Sequence, residues 1–241
     1  ITRLDGTARI DGTGAVTIVD GKDKGSYKSE KIMIATGSHA TSLPGITIDE
    51  KRIVSSTGAL SLNKCPKKLV VIGAGYIGLE LGTVWARLGA KVEVIEFLPR
   101  ILPGMDDEIA KKFMAIAKKQ GLSFRLSAAV KQAKLSKAGV TLTVESADGG
   151  KPESISADIA LVSVGRHPAT DGLGLEAAGV ALTERGRIAV DTRFETSLDD
   201  VYAIGDVIDG PMLAHKAEED AVAAVEMLSL IHISEPTRHH V

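Results

Sequence analysis

At 241 residues the chain can hold one or two domains with a sizeable core, and its formal net charge of −2 gives no reason to expect nucleic acid or an anionic membrane as a partner. No apolar run reaches the roughly 18 residues that a membrane span needs. A single cysteine, Cys65, excludes an internal disulfide and a cysteine-based metal cluster. In the loop Asn63-Lys64-Cys65-Pro66 it reads as a bystander thiol, and the natural setting is reducing cytosol or an organelle matrix. The first residues, ITRLDGTARIDG, lack Met and a charged-then-apolar secretory pattern, and read as an internal start.

Residues 1–35 predict short strands. Ala8–Ile10 and Ala15–Val19 flank the turn Asp11-Gly12-Thr13-Gly14, and after the polar stretch 21–30 the run Lys31–Ala35 predicts a buried strand. That strand runs into Thr36-Gly37-Ser38, small residues that permit close backbone approach to a ligand. Thr41–Asn63, with Pro44, Gly45 and many Ser and Thr, reads as a linker between domains.

The most informative stretch follows, Lys68–Glu96. Leu69–Ile72 predicts a parallel strand buried on both faces, and Gly73, Gly75 and Gly78 then spell G-x-G-x-x-G. In a dinucleotide fold the first glycine permits the tight turn, the second admits the pyrophosphate, and the third lets helix and strand pack closely. Leu79, Leu81, Val84, Trp85 and Leu88 form the expected apolar face of the helix, with Gly89 as its stop. The free amides and dipole at its start suit an anion. Val92–Ile95 is the next strand, and Glu96 at its end lies 18 residues past Gly78, near the roughly 20 expected for the ribose-binding acid. A carboxylate there accepts from a ribose 2′-OH and repels a 2′-phosphate, which favours NAD over NADP.

Beyond Glu96, Asp106 is placed to cap a helix Asp107–Gln120 with Ile109, Phe113, Ile116 and Ala117 inward and Gly121 as its stop. Leu122–Val130, Val140–Glu145 and Ser154–Val164 predict strands, the last ending at Gly165-Arg166-His167-Pro168, either a plain turn or a ligand contact. Ile188–Val190 predicts a further strand. Val201–Ile204 leads into Gly205-Asp206, where the acid either receives ligand hydroxyls or caps the local backbone. Met212-Leu213-Ala214-His215 opens a helix over Lys216–Leu228, and His215 taken alone is a helix-start or core histidine.

In order, Ala35-Thr36-Gly37-Ser38, the Gly73–Glu80 loop, Gly165-Arg166-His167-Pro168, Tyr202-Ala203-Ile204-Gly205-Asp206 and Met212-Leu213-Ala214-His215 resemble the dihydrolipoamide dehydrogenases of the disulfide flavoprotein reductases, over roughly residues 1–228. The resemblance implies an α/β, doubly wound, Rossmann-like NAD domain with a three-stranded meander (42–168), inserted into a partial FAD domain (1–41 and 169–228). It implies that Gly73, Ala74, Gly75, Tyr76, Ile77, Gly78, Leu79, Glu80, Glu96, Val130 and Gly165 hold NAD. Thr36, Gly37, Ser38, Asp206, Met212, Leu213, Ala214 and His215 would lie against FAD. The implied reaction oxidises protein-bound dihydrolipoamide through an enzyme dithiol/disulfide and FAD to NAD⁺, with the lipoyl domain of a 2-oxo-acid dehydrogenase complex as partner and a homodimer as the assembly. The implied location is the cytoplasm, or the mitochondrial matrix in a eukaryote.

The departures are equally specific. The family's first G-x-G-x-x-G and its C-x4-C pair would precede residue 1, and its dimerisation domain with a catalytic His-x4-Glu would follow about residue 228. Residues 229–241 do not resemble the family and read as translated adapter sequence, in which His239-His240 offers too few ligands for a metal site. No catalytic or metal-binding residue is therefore assigned, and the chain by itself is expected to lack turnover. A non-catalytic NAD-binding module and another NADH-dependent flavoprotein reductase are the competing readings.

Overall fold

A computed structural model describes residues 1–147 and 149–229. These residues form two compact units, one built from Ile1–His39 together with residues 166–229, the other from Ala40–Gly165.

The first unit opens with an antiparallel sheet of β1 (Thr7–Gly12), β2 (Ala15–Asp20) and β3 (Gly25–Lys28), the first two joined at the expected hairpin. β3 corrects the reading of 21–30 as merely polar: its Gly25-Ser26-Tyr27-Lys28 alternates half-buried and exposed, and pairing with β2 supplies the order that apolar content does not signal. Next come β4 (Ile32–Ile34) and the short β5 (Ser38–Ala40).

The second unit contains β6 (Ile53–Val54), α1 (Ser56–Leu60), β7 (Lys68–Ile72), α2 (Tyr76–Arg87), β8 (Lys91–Ile95), α3 (Asp107–Lys119) and β9 (Leu122–Arg125). After them run β10 (Ala128–Leu135), β11 (Val140–Ser146), β12 (Glu153–Ala157) and β13 (Ile159–Val162). Five strands make an all-parallel sheet in the order β6-β13-β7-β8-β9, and β10-β11-β12 make an antiparallel meander. Leu69, Val71, Val92 and Val94 pack with Leu79, Trp85, Ala110 and Ala117 of the helices, whereas Val70, Ile72 and Ile95 pack with Val130, Leu142 and Val144 of the meander. Alternate residues of β7 thus enter different cores, which is why Leu69–Ile72 reads as an unbroken apolar run, whereas β8 carries Glu93 in its middle, ion-paired with Lys68 and Arg125. This is the α/β, Rossmann-like arrangement with a three-stranded meander. The unit's two ends meet, Thr41 N donating to Gly165 O at 3.0 Å.

Several local expectations need correction. The stretch 41–63 is not a linker, because β6 is buried at the sheet edge and Ser55 caps α1 by accepting from Thr57 N. Asp49 anchors that entry by accepting from the amides of Lys51, Arg52 and Ile53 at 2.9, 2.8 and 2.9 Å. Burial pushes the Asp49 carboxyl up, but the amide donations prevail and hold it below the ordinary carboxylate range. A depressed carboxyl stabilises the fold above its unfolded pKa, and that stability is lost as pH falls through the folded value. Asp49→Ala is therefore expected to cost about 1–3 kcal/mol at neutral pH, with the deficit shrinking as pH falls below the ordinary carboxylate range, as urea unfolding at pH 7 and in acid would read.

Leu122–Val130 and Ser154–Val164 each divide into two strands of different sheets. The first breaks at Ser127, which has φ +50. The second breaks at Asp158, whose carboxylate accepts from Lys68 N. In α2 the buried positions are Gly78, Leu79, Gly82 and Trp85, while Val84 and Leu88 are exposed. In α3 Ala110 and Ala117 are buried, and Ile109 and Ile116 are exposed. Asp106 caps α3 as expected, accepting from Glu108 N and Ile109 N.

The chain then returns to the first unit through β14 (Arg166–Pro168), which pairs with β5, then α4 (Leu175–Ala178) and β15 (Val201–Ala203), which pairs in parallel with β4. A 3-10 turn over Gly205–Val207 and α5 (Ala214–Ser229) complete it. The expected strand Ile188–Val190 is reduced to isolated bridges from Ile188 to Leu182 and Ile208, although Ile188 is buried in the core with Ile32, Ile34 and Val201. The tail from 230 lies outside the described residues. Among the described residues no helix is long and apolar enough to cross a membrane.

Candidate functional site

In the second unit the glycine bend leaves the C-terminal end of β7 and opens α2. Gly73 holds φ +103, and a Cβ there would strike Ser163 O, so this position needs glycine. A Cβ on Gly78 would collide with Gly73 O and lie 2.5 Å from Ser163 Oγ, which makes Gly78 the close helix–strand contact. Gly75 differs from both. It is the N-cap of α2 with no side-chain cap, and an added Cβ would meet nothing within 4 Å. The bend is therefore filled behind Gly73 and Gly78 and open in front of Gly75, as a backbone surface that receives a ligand must be.

Glu96 reaches this bend. Its Oε2 accepts from Ala74 N at 2.6 Å and its Oε1 from Leu98 N at 2.8 Å, and the residue is 8% exposed. Each carboxylate oxygen keeps a lone pair for a further donor. Gly73 N donates to Ile95 O at 2.8 Å, tying the bend to the end of β8 next to the acid. Val130 follows closely, since Ala128 N donates to Glu96 O; its side chain belongs to the core. Gly165 lies just past β13, whose Val162 pairs with Ile72. Tyr76 and Glu80 are exposed at the start of α2 and Ile77 is half-buried, whereas the side chain of Leu79 is in the core, so only its backbone can face a ligand. Ser163, absent from the expected set, donates from Oγ to Ile72 O and to Gly73 O at 3.1 and 3.4 Å. A serine just after a buried strand gives no distinctive signal in the sequence.

The first unit collects a different group of residues. Thr36 Oγ1 donates to Ala169 O at 2.8 Å, and Ala169 N donates to Gly37 O at 2.9 Å. Ser38 Oγ donates to Asp206 Oδ2 at 2.5 Å. Arg166 in turn donates to Ser38 Oγ at 2.7 Å and to Ser38 O at 2.6 Å. The Gly-Arg-His-Pro segment thus supplies a guanidinium that fixes the serine, a role its sequence alone does not specify. From the other side Asp220 accepts from Gly205 N at 3.0 Å and from Lys216 Nζ at 2.6 Å, so the base of α5 grips the turn carrying Asp206. Met212 and Leu213 are half-buried before α5, and Ala214 and His215 are exposed at its start. Arg166→Met is expected to cost this unit about 1–3 kcal/mol, read by urea unfolding, because two charge-assisted bonds disappear and Ser38 loses its restraint. Among the described residues no group of three or more His, Cys, Asp or Glu surrounds a point where a metal ion could sit.

The family model described as pyridine nucleotide-disulphide oxidoreductase matches residues 1–221. The mitochondrial dihydrolipoyl dehydrogenase of Pisum sativum is 58% identical over 202 residues, covering 84% of this chain and 40% of that protein. That of Mesocricetus auratus is 51% identical over 240 residues, covering 97% of this chain and 50% of that protein. The chain thus spans about half the length of these relatives or less. Among solved structures, the HOCl-induced flavoprotein disulfide reductase RclA from Escherichia coli superposes with a TM-score of 0.83 at 31% identity, over 93% of this chain and 50% of that one. With sequence, fold and the glycine bend in agreement, the chain belongs to the pyridine nucleotide-disulphide oxidoreductase family.

Proposed function

We propose that Ala40–Gly165 is the NAD(H)-binding unit, and the other unit part of the FAD-binding unit, of an enzyme that oxidises protein-bound dihydrolipoamide with NAD⁺ as acceptor. The carrying observation is the Glu96 carboxylate, hydrogen-bonded to the Ala74 amide inside the glycine bend, with lone pairs left for a ribose diol. The open face of Gly75 is the second element of the fit. Gly73–Glu80, Glu96, Val130 and Gly165 would hold NAD(H). Thr36–Ser38, Asp206 and Met212–His215 would hold FAD, Arg166 and the Lys216–Asp220 pair keeping Ser38 and Asp206 in register. When bound, the two cofactors supply the redox chemistry, and the protein binds and orients them.

Fluorescence titration of the purified chain tests the nucleotide assignment. NADH is expected to bind at least about tenfold more tightly than NADPH, a difference of about 1.4 kcal/mol, because Glu96 opposes a 2′-phosphate. Equal affinities would overturn the assignment. The chain has one cysteine, exposed Cys65, and so no dithiol/disulfide pair of its own. Purified alone, it is expected not to reduce lipoamide with NADH. That same cysteine count favours a second reading, an NAD-binding module without catalysis, and the gene upstream of Ile1 separates the two: a Cys-x4-Cys segment there marks the reductase. For the whole protein we propose a homodimer that serves the lipoyl domain of a 2-oxo-acid dehydrogenase complex, in the cytosol or the mitochondrial matrix.

A further inference from the structure

We propose that His39 and His167 form a cross-strand binding site for a divalent transition-metal ion that prefers imidazole ligands, Cu(II) foremost. Both belong to the first unit, His39 on β5 and His167 on β14, two strands that pair with one another. Their ring centroids stand 5.8 Å apart with planes tilted by 51°. A metal–imidazole bond of about 2.0–2.1 Å places a ring centre roughly 3 Å from the ion, so two rings sharing one ion lie about 4.5 Å apart when cis and about 6.5 Å apart when trans, and the observed separation falls between. Small rotations of the two exposed side chains reach either spacing, and strand pairing holds both backbones.

Two histidines that converge across a pair of strands differ from two consecutive ones, whose side chains diverge along an extended chain. Both residues are exposed, which leaves water free to complete the coordination sphere. With only two imidazoles the site is open, unlike a closed structural zinc site with four ligands, and Cu(II) leads the affinity order for nitrogen donors. The guanidinium of the adjacent Arg166 is bonded to Ser38 through both Nε and a terminal nitrogen. An ion here would pin β5 to β14 next to the residues that restrain Asp206.

The test uses the full chain with His232, His239 and His240 replaced by Gln, to remove the imidazoles beyond α5. Calorimetric titration with Cu(II), together with electron paramagnetic resonance, is expected to show one equivalent bound with hyperfine structure from two nitrogens. Either His39→Gln or His167→Gln should weaken binding by at least about tenfold, since losing even an outer partner of a metal ligand commonly costs that much. Circular dichroism would confirm that these surface variants stay folded. Absence of binding, or binding and a two-nitrogen signal that persist when both residues are replaced, would overturn the proposal.

Discussion

Gly75→Val is expected to abolish detectable NADH binding to the second unit while leaving that unit folded. Gly75 sits at φ −74 and ψ 176, a conformation open to any residue, and a Cβ there meets no protein atom within 4 Å. A poorer N-cap for α2 costs about 1 kcal/mol or less on the protein side. A branched side chain would occupy the space in front of the bend that a pyrophosphate needs. Gly78→Ala provides the contrast, because its methyl group drives into Gly73 O and Ser163 Oγ. That substitution should lower stability by about 1–3 kcal/mol. Thermal melts and NADH titrations of the two variants would read both effects, and a Gly75→Val protein that still binds NADH as the parent does would remove the bend from the site.

Glu96→Gln should separate the two roles that fall on this residue. The carboxylate accepts one amide on each oxygen, from Ala74 and Leu98. An amide side chain offers one acceptor and one donor, so one backbone N–H is left facing another donor. We expect a loss of about 1–3 kcal/mol in unfolding free energy. If Glu96 also receives the ribose hydroxyls, NADH affinity falls at least about tenfold, which is about 1.4 kcal/mol, and the preference over NADPH collapses. A variant that loses stability but keeps the NADH to NADPH ratio would make Glu96 a brace for the bend alone.

The parallel core and the glycine bend were legible because they impose composition. β7 must be apolar on both faces, and the bend demands glycine at Gly73 and Gly78 for steric reasons that no other residue meets. The inner faces of the helices were misread because hydrophobicity grows with side-chain size, whereas a helix lying close on a sheet needs small residues at the contact. Hence α3 buries Ala110 and Ala117 and turns Ile109 and Ile116 outward, and α2 buries Gly78 and Gly82 while Val84 and Leu88 face solvent. The edge strand β6 escaped notice because two residues carry no period. The Arg166–Ser38–Asp206 chain could not be read at all, since its members are far apart in sequence and only the fold brings them together.

The hydrogen bond from Thr41 to Gly165 has a bearing on how the molecule assembles. β4 and β15 must find each other although the whole Ala40–Gly165 unit is threaded between them. In a disordered chain that encounter would pay the closure entropy of a very long loop. Once the intervening unit has condensed, its ends are already neighbours, and the loop to be closed between β4 and β15 shrinks to roughly forty residues, those of 35–41 and 165–200. The order of events follows: the insert matures first, and the segments on either side of it zip together afterwards, so a destabilised insert would slow the maturation of parts of the protein that carry no mutation.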